Sequence, residues 1–244
     1  MSILKQIVKS SCDAILNPLG YEIRRKIINT DGFPEYLAKA QKAGMDVNDW
    51  EEQVLGWAAA LPILEQTVFP LIKAESVVCN VGIGTARWAK YLAPRLLSGE
   101  LHLVDHSPWI INFARNYLRS QRNVHFHLTD GLGLPFSDHP KFDLIFSFGT
   151  FIALKLGVYY LYSRDFFRVL KPGGCSLIHY LDITTPGGWG WLENASNKHF
   201  ANCYTYHSRE IVERVFTSAG FEILPPPSNA GLTLLVAKKP NSSE

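Results

Sequence analysis

Two closely spaced glycines and a carboxylate behind them are the residues of this sequence with the clearest chemical potential. Gly82 and Gly84 directly follow the apolar run "SVVCN". Glycine lets a backbone turn sharply and approach a bound molecule, because it has no Cβ. Asp105 ends the next apolar run, near the roughly 20-residue offset at which an acid accepts hydrogen bonds from ribose hydroxyls. The pattern predicts a binding site for a nucleoside-containing cofactor.

Other nucleotide-binding patterns fit this glycine turn less well. A phosphate-binding P-loop needs G-x-x-x-x-G-K-[ST], which is absent. A dinucleotide fingerprint needs a third small residue for close helix–strand packing, and Arg87 stands at that position. A nicotinamide cofactor is therefore disfavoured, and S-adenosylmethionine is the favoured alternative.

The elements that must position these residues alternate between strand and helix patterns from residue 76 onwards. Apolar β-branched runs such as "LHLVD" and "FDLIFSF" are separated by helix-length connections, which is typical of a parallel sheet covered on both faces. The end of the chain reads as a helix followed by a hairpin. We predict a doubly wound α/β fold with a mostly parallel seven-stranded sheet and an antiparallel edge strand.

Residues 1–70 are predicted to form an N-terminal helical extension, and residues 71–240 the cofactor-binding domain. In the extension, residues 3–16 form an amphipathic pattern with lysines off the apolar face, which could contact a membrane surface. The stretch "VNDWEEQVLGWAAALPILEQTVFPLI" predicts a helix that is capped by Asn48 and kinked at Pro62.

The chain from about residue 70 to 239 resembles the class I S-adenosylmethionine-dependent methyltransferases. The first motif of that family is an acid, any residue, then G-x-G-x-G, and "NVGIGTA" is similar to it. The other matching pieces occur in the family's order, namely Asp105, "TDGLGLPF" (Thr129–Phe136), "FDLIFSF", "RVLKPGG" (Arg168–Gly174) and "AGFEI" (Ala219–Ile223).

The resemblance implies a role for each matching residue. It places Gly82 and Gly84 at the methionine moiety, Asp105 at the ribose, and Asp130 with Gly131 at the adenine. The remaining candidate cofactor contacts are Asn80, His106 and Phe148.

Two departures from the family motif bear on cofactor binding. Asn80 replaces the acid that helps to hold the methionine ammonium, and a neutral amide forms a weaker hydrogen bond than a carboxylate. Ala86 replaces the third glycine, which the turn tolerates if the backbone dihedrals there are ordinary. We therefore expect weaker cofactor binding than in the family.

The acceptor of the methyl group is less closely defined by the sequence. Ser147 to Thr150 after the fourth strand lack the [DN]-P-P-[YF] motif of adenine- and glutamine-N-methyltransferases, which favours oxygen as the acceptor atom. Proton removal from a hydroxyl needs a base. The candidates are His207, His179 and Asp182, and we predict no metal site.

An insertion at about residues 183–207 is rich in glycine and aromatic residues and resembles the acceptor-binding lids of family members. Trp189 and Trp191 could stack on a sugar or an aromatic acceptor, and Tyr206 is a further candidate contact. The alternative is that these rings only cover the edge of the sheet.

The predicted function is O-methylation of a small molecule or a glycan intermediate. The glycan, and with it polysaccharide biosynthesis, is indicated only by the N-terminal "NPLGYEIRR", which resembles leaders of bacterial methyltransferases of that process. The alternatives are a natural-product or quinone methyltransferase, a nicotinamide oxidoreductase, and a non-catalytic binding or scaffold protein that has lost its acid at Asn80.

Composition limits the partners and the compartment. The 24 basic and 22 acidic side chains nearly balance, so the net charge gives no strong electrostatic attraction for nucleic acid. The 4 cysteines form no C-x-x-C pair, which favours reduced thiols in the cytoplasm. The oligomeric state is not indicated.

Overall fold

The computed structural model of the chain describes residues 33–137, 139, 141–195, 203–228 and 231–241. The amphipathic segment 3–16 and the "NPLGYEIRR" stretch lie outside these residues. Within the described ranges, no helix is both long and apolar enough to cross a membrane.

Seven strands form one sheet in the order β3-β2-β1-β4-β5-β7-β6. The first five strands pair in parallel, whereas β7 runs antiparallel to both β5 and β6. The predicted mostly parallel sheet is confirmed, and the hairpin β6–β7 forms its antiparallel edge. The strands are β1 Val77–Val81, β2 Glu100–Asp105, β3 Val124–Leu128, β4 Phe142–Ser147, β5 Leu170–His179, β6 Glu222–Leu224 and β7 Leu234–Lys238.

Helices cover both faces of the sheet, as the uninterrupted apolar strands require. One face packs on α3, α4 and α5, and the other packs on α6 and α8. The helices are α1 Phe33–Lys42, α2 Val47–Gln53, α3 Ala60–Thr67, α4 Arg87–Leu92, α5 Pro108–Tyr117, α6 Leu156–Val169, α7 Pro186–Ala195 and α8 Arg209–Ser218, with short 3-10 turns at Phe69–Leu71, Ala93–Arg95 and Phe151–Ala153.

The predicted kinked helix before the sheet is wrong. Two helices, α2 and α3, replace it, and residues 54–59 between them are not helical. Asp46, not Asn48, caps α2 through its carboxylate, which accepts hydrogen bonds from the backbone N–H groups of Asn48 and Asp49. Pro62 lies in the first turn of α3, where a missing N–H costs nothing.

The first two helices pack against the sheet layer through a small apolar cluster of their own. Ala40, Val47 and Trp50 are its buried members, and Phe113 of α5 contacts them. This contact holds α1 and α2 beside the carboxyl ends of β1 and β2. The N-terminal segment therefore reaches the edge of the sheet where ligands of such folds bind.

Candidate active site

The turn after β1 needs its two glycines for different steric reasons. Gly82 has φ +74°, and a Cβ there would overlap Oγ1 of Thr150, which donates a 3.3 Å hydrogen bond to the Gly82 carbonyl. Gly84 has φ +51°, and a Cβ there would lie 3.4 Å from Cζ of Phe33 in α1. Gly82 makes room for a side chain of the protein, and Gly84 presents bare backbone beneath Phe33.

Ala86 does not have the ordinary dihedrals on which its tolerance was expected to depend. Its φ of 61° and ψ of 23° are left-handed, and it is the one described residue other than glycine with a positive φ. A left-handed conformation costs an L-residue roughly 1–2 kcal/mol. The turn therefore keeps the backbone that a glycine would adopt, although the residue is alanine.

Asp105 joins the end of β2 to the glycine turn. Its Oδ2 accepts a 3.0 Å hydrogen bond from the Ile83 N–H and its Oδ1 a 2.9 Å hydrogen bond from the Ser107 N–H. Burial raises the pKa of this carboxyl despite both bonds. An ionised carboxylate has about four acceptor positions, so the backbone bonds do not use all of them, and a ribose hydroxyl could still donate to this group.

Other predicted cofactor contacts lie next to Asp105. His106 Nδ1 is 3.4 Å from Asp105 Oδ1, and a Cβ on Gly131 would lie 3.4 Å from the Cβ of His106. Asp130 is exposed and accepts a 2.8 Å hydrogen bond from the Leu132 N–H. Phe148 differs from these, because its ring is buried against Trp88 and Phe146.

Asn80 is fully buried in β1, one residue before the strand ends at Val81. Its Nδ2 donates a 3.3 Å hydrogen bond to the Phe146 carbonyl of β4. Its Oδ1 has no hydrogen-bond partner within the described part of the chain. A buried acceptor without a partner costs about 1–3 kcal/mol, so this oxygen is suited to a donor from a ligand.

Helix α2 covers the glycine turn with two buried polar side chains. Thr85 Oγ1 lies 2.7 Å from Asn48 Oδ1 and 2.8 Å from Glu51 Oε2. A hydroxyl has a single hydrogen, so it donates to one of these oxygens. The other contact is satisfied when the Glu51 carboxyl is protonated and donates to Thr85.

Glu51 is fully buried, and burial raises its pKa from 4.5 to about 7. Its Oε1 has no hydrogen-bond partner among the residues that the structure describes. Glu51 was not predicted as a site residue, and no sequence signal singles it out. The carboxyl is the only group of α2 that touches the glycine turn and titrates near neutral pH.

Arg87, the residue that argued against a dinucleotide, starts α4 and points away from the sheet. Its guanidinium forms a 3.0 Å ion pair with Glu52 and bonds to the Ala58 carbonyl. Lys90 forms ion pairs with Asp46 and Asp49. These pairs fasten α2 over the glycine turn.

Of the three predicted bases, His207 has the geometry of a proton acceptor. A hydrogen bond between its ring and the Leu154 backbone raises its pKa, but burial lowers it more, so the ring is neutral at neutral pH. Nε2 is buried and has no hydrogen-bond partner among the described residues. In the tautomer that carries its hydrogen on Nδ1, towards the Leu154 backbone, Nε2 presents a lone pair.

The other two predicted bases lie in β5 and directly after it. Asp182 Oδ1 accepts hydrogen bonds from the N–H and the Oγ1 of Thr184, at 2.9 Å and 2.7 Å. His179 ends β5, and burial lowers its pKa to about 4. Asp182 forms a backbone bridge to His207, so these two candidates are neighbours at the end of β5.

The predicted acceptor contacts divide between exposed and buried positions. Trp189 and Trp191 lie on α7 and are 53% and 45% exposed. Trp191 packs edge-on against Tyr204 at 5.2 Å, whereas Trp189 Nε1 donates to Glu193. The hydroxyl of Tyr206 is buried without a hydrogen-bond partner, next to His207 in the chain.

The unpartnered buried polar atoms of the described residues occur almost entirely on this one edge of the fold. Asn80 is at the end of β1, Tyr206 and His207 are beside the end of β5, and Glu51 lies over the glycine turn. The fifth is Nε of Arg87, at the start of α4. Buried polar groups normally have partners, so this grouping marks a site whose partners come from bound molecules.

Comparison with known proteins identifies a family domain that contains this edge of the sheet. Residues 78–174 match the family described as "Methyltransferase domain". No curated protein matches the sequence. The matched range begins in β1 and ends in β5, so it contains the glycine turn and Asp105.

Solved structures share the fold at low sequence identity. An S-adenosylmethionine-dependent methyltransferase from Thermotoga maritima, described as a possible histamine N-methyltransferase, is 22% identical, covers 79% of this chain and 95% of its own, and has a TM-score of 0.58. One from Methanosarcina mazei is 15% identical, with 74% and 98% covered and a TM-score of 0.57. The cyclase SpnF is 18% identical, with 75% and 80% covered and a TM-score of 0.57.

The fold therefore also accommodates a cyclase, and likeness of structure alone does not define the reaction. The family match and the residues at the glycine turn define it further. Residues 78–174 thus match a methyltransferase domain, and the chain has the class I, Rossmann-like fold of enzymes that use S-adenosylmethionine.

Proposed function

We propose that this methyltransferase transfers the methyl group to an oxygen atom of a small molecule or a glycan intermediate, with His207 as the base. The single observation that carries the proposal is the buried, unpartnered Nε2 of His207 beside the end of β5, which accepts a proton when the ring hydrogen is on Nδ1. A hydroxyl acceptor must lose its proton as it attacks, whereas a ring nitrogen with a fixed lone pair accepts one.

The residues at the edge of the sheet fit S-adenosylmethionine. Asp105 retains acceptor positions for the ribose hydroxyls, and Asn80 Oδ1 is a free buried acceptor for the methionine ammonium. Gly84 leaves bare backbone beneath Phe33. When bound, the cofactor supplies an electrophilic methyl group on a sulfonium sulfur.

The protein's own groups then have two tasks. The first is to hold the acceptor oxygen in line with the methyl group, since alignment accounts for much of such a rate enhancement. Tyr206 and the rings of Trp191 and Tyr204 are proposed to hold the acceptor. The second task is to remove the proton of the acceptor hydroxyl, and His207 Nε2 would accept it. The new oxygen–carbon bond would form as the carbon–sulfur bond breaks, with its electron pair going to sulfur.

The aromatic side chains near the site are compatible with more than one class of acceptor. Tyr36 of α1 packs against Trp50 of α2 and against Trp57 in the loop that follows, and Phe33 packs against Tyr36. Aromatic side chains bind both sugar faces and flat rings. A glycan intermediate and a phenolic or quinol acceptor are both compatible with such a wall, and acceptor screening separates them.

The test is formation of S-adenosylhomocysteine by the full chain with a panel of saccharides, phenols, quinols and amines. We expect turnover with a hydroxylated acceptor. His207→Gln should lower the rate by roughly 10²–10⁴-fold and leave cofactor affinity unchanged. His139→Gln, on an exposed residue, is the matched control. An unchanged rate in His207→Gln, or turnover with amines alone, would refute the proposal.

Calorimetry with S-adenosylmethionine, S-adenosylhomocysteine and NADH separates the non-catalytic alternative. A scaffold protein would bind none of the three or would bind without turning over. Binding of the first two together with turnover excludes it.

A further inference from the structure

Three histidines and a glutamate form a polar cluster along β2 and β3. His102 of β2 is the parallel neighbour of His125 in β3, and His127 follows two residues later on the same face, level with Val104. Glu100 starts β2, five residues before Asp105. Five residues of strand span roughly 16 Å, so Glu100 lies well away from Asp105, and His127 is the member of the cluster nearest to the cofactor edge.

The cluster places three ligand atoms close together. Glu100 Oε2 lies 2.8 Å from His102 Nε2 and 3.9 Å from His125 Nε2. One ligand atom from each of Glu100, His102 and His125 falls within 4.8 Å of the others. Tetrahedral Zn²⁺ with bonds of 2.0–2.1 Å holds its ligand atoms roughly 3.3 Å apart, so small side-chain rotations suffice.

His127 supports the orientation that a metal ligand needs. His102 Nδ1 and His127 Nε2 are 2.9 Å apart, and one of the two nitrogens must carry the hydrogen. In the metal-free chain, His102 Nε2–H donates to the Glu100 carboxylate. With the hydrogen on Nδ1 instead, His102 donates to His127 and its bare Nε2 can bind a metal ion. Metal-binding histidines usually donate their second ring N–H in this way, which fixes the ring and the tautomer.

We propose that Glu100, His102 and His125 bind a transition-metal ion of the Zn²⁺ type, with water as the fourth ligand, and that this ion clips β2 to β3. Two imidazoles and one carboxylate are a ligand set that Zn²⁺ accepts. The ion is proposed as a structural one, because Glu100 starts β2 whereas Asp105 ends that strand. The expectation of no metal site had rested on the absence of cysteine pairs.

Lys141 opposes metal binding in a way that makes the proposal testable. Its Nζ lies 3.2 Å from Glu100 Oε2 and competes with a cation for that oxygen. Both groups are 44% exposed, and an exposed pair contributes up to about 1 kcal/mol. Removing the ammonium should therefore tighten metal binding by up to about fivefold.

The experiment is calorimetric titration of ZnCl₂ into the full chain, stripped with a chelator and carrying no affinity tag. We expect one equivalent to bind, with affinity lowered at least tenfold in His125→Gln and raised in Lys141→Gln. His125 is 45% exposed, so its substitution should not unfold the chain. His139→Gln, an exposed histidine outside the cluster, should bind as the parent does.

Thermal unfolding gives a second readout. Zn²⁺ should raise the melting temperature of the parent chain but not that of His125→Gln, because a ligand that binds only the folded state stabilises it. Absence of stoichiometric binding by the parent would overturn the proposal. Equal binding by His125→Gln would overturn it as well, since the ion would then lie elsewhere.

Discussion

Glu51→Gln is expected to change how the stability of the chain depends on pH. The Glu51 carboxyl is fully buried against Thr85, and its pKa is about 7 compared with an ordinary 4.5. A raised folded-state pKa means that the neutral form is favoured by folding. The stabilising contribution of this carboxyl to the free energy of unfolding is therefore complete below pH 4.5 and is lost as the pH rises through 7.

The size of the effect follows from the two pKa values. A pKa difference of one unit between the folded and unfolded states corresponds to 1.36 kcal/mol. The full change in the free energy of unfolding is therefore about 3 kcal/mol, of which about 2.5 kcal/mol develops between pH 5 and pH 8. Glutamine has nearly the same shape and does not ionise. The free energy of unfolding of Glu51→Gln should therefore rise relative to the parent by about this amount over that range.

Urea denaturation at pH 5, 6, 7 and 8 measures the difference. Glu65→Gln is the matched control, because the Glu65 side chain is 52% exposed and its ion pair with Arg95 is long, at 3.9 Å. The control should run parallel to the parent at every pH. A parallel curve for Glu51→Gln would refute the reasoning, since it would mean that the Glu51 carboxyl is already solvated or already ionised.

Three further substitutions test the glycine turn and its surroundings. Asp105→Ala should weaken S-adenosylmethionine binding by roughly 1.5–3 kcal/mol in calorimetry, and unchanged affinity would remove its ribose role. Asn80→Asp should tighten binding if its oxygen faces the methionine ammonium. Gly82→Ala should destabilise the fold by about 1–3 kcal/mol in thermal unfolding, because its Cβ would overlap Thr150. The double variant with Thr150→Gly should recover part of that loss, and no recovery would point to backbone strain instead.

The sheet could be predicted from the sequence because its strands are apolar on both faces. Runs such as "FDLIFSF" match β4 closely, since only a buried parallel strand accommodates that pattern. The prediction of function at the strand ends has the same basis. Asn80 and Asp105 end or nearly end their strands, and topology then brings them to one edge.

The parts that could not be predicted depend on contacts between distant segments. Glu51 reads as one more polar residue of a surface helix, and only the packing of α2 over Thr85 buries it. The left-handed backbone of Ala86 is likewise invisible in a sequence that shows an ordinary alanine. The break between α2 and α3 was missed because an apolar stripe continues across it, and periodicity does not mark where a helix ends.

Glu51 places a carboxyl near the glycine turn, where Asn80 replaces the acid that the family uses. The glycine turn has a neutral amide at the strand end, but a carboxyl with a pKa of about 7 touches it from α2. A cation bound beside Glu51 favours the ionised carboxylate and so lowers its pKa. Cofactor binding at pH 6.5 should then release a proton from the parent chain but not from Glu51→Gln, which calorimetry in buffers of different ionisation enthalpy measures. Equal proton release in both would place the methionine ammonium away from Glu51 and leave Asn80 as its acceptor.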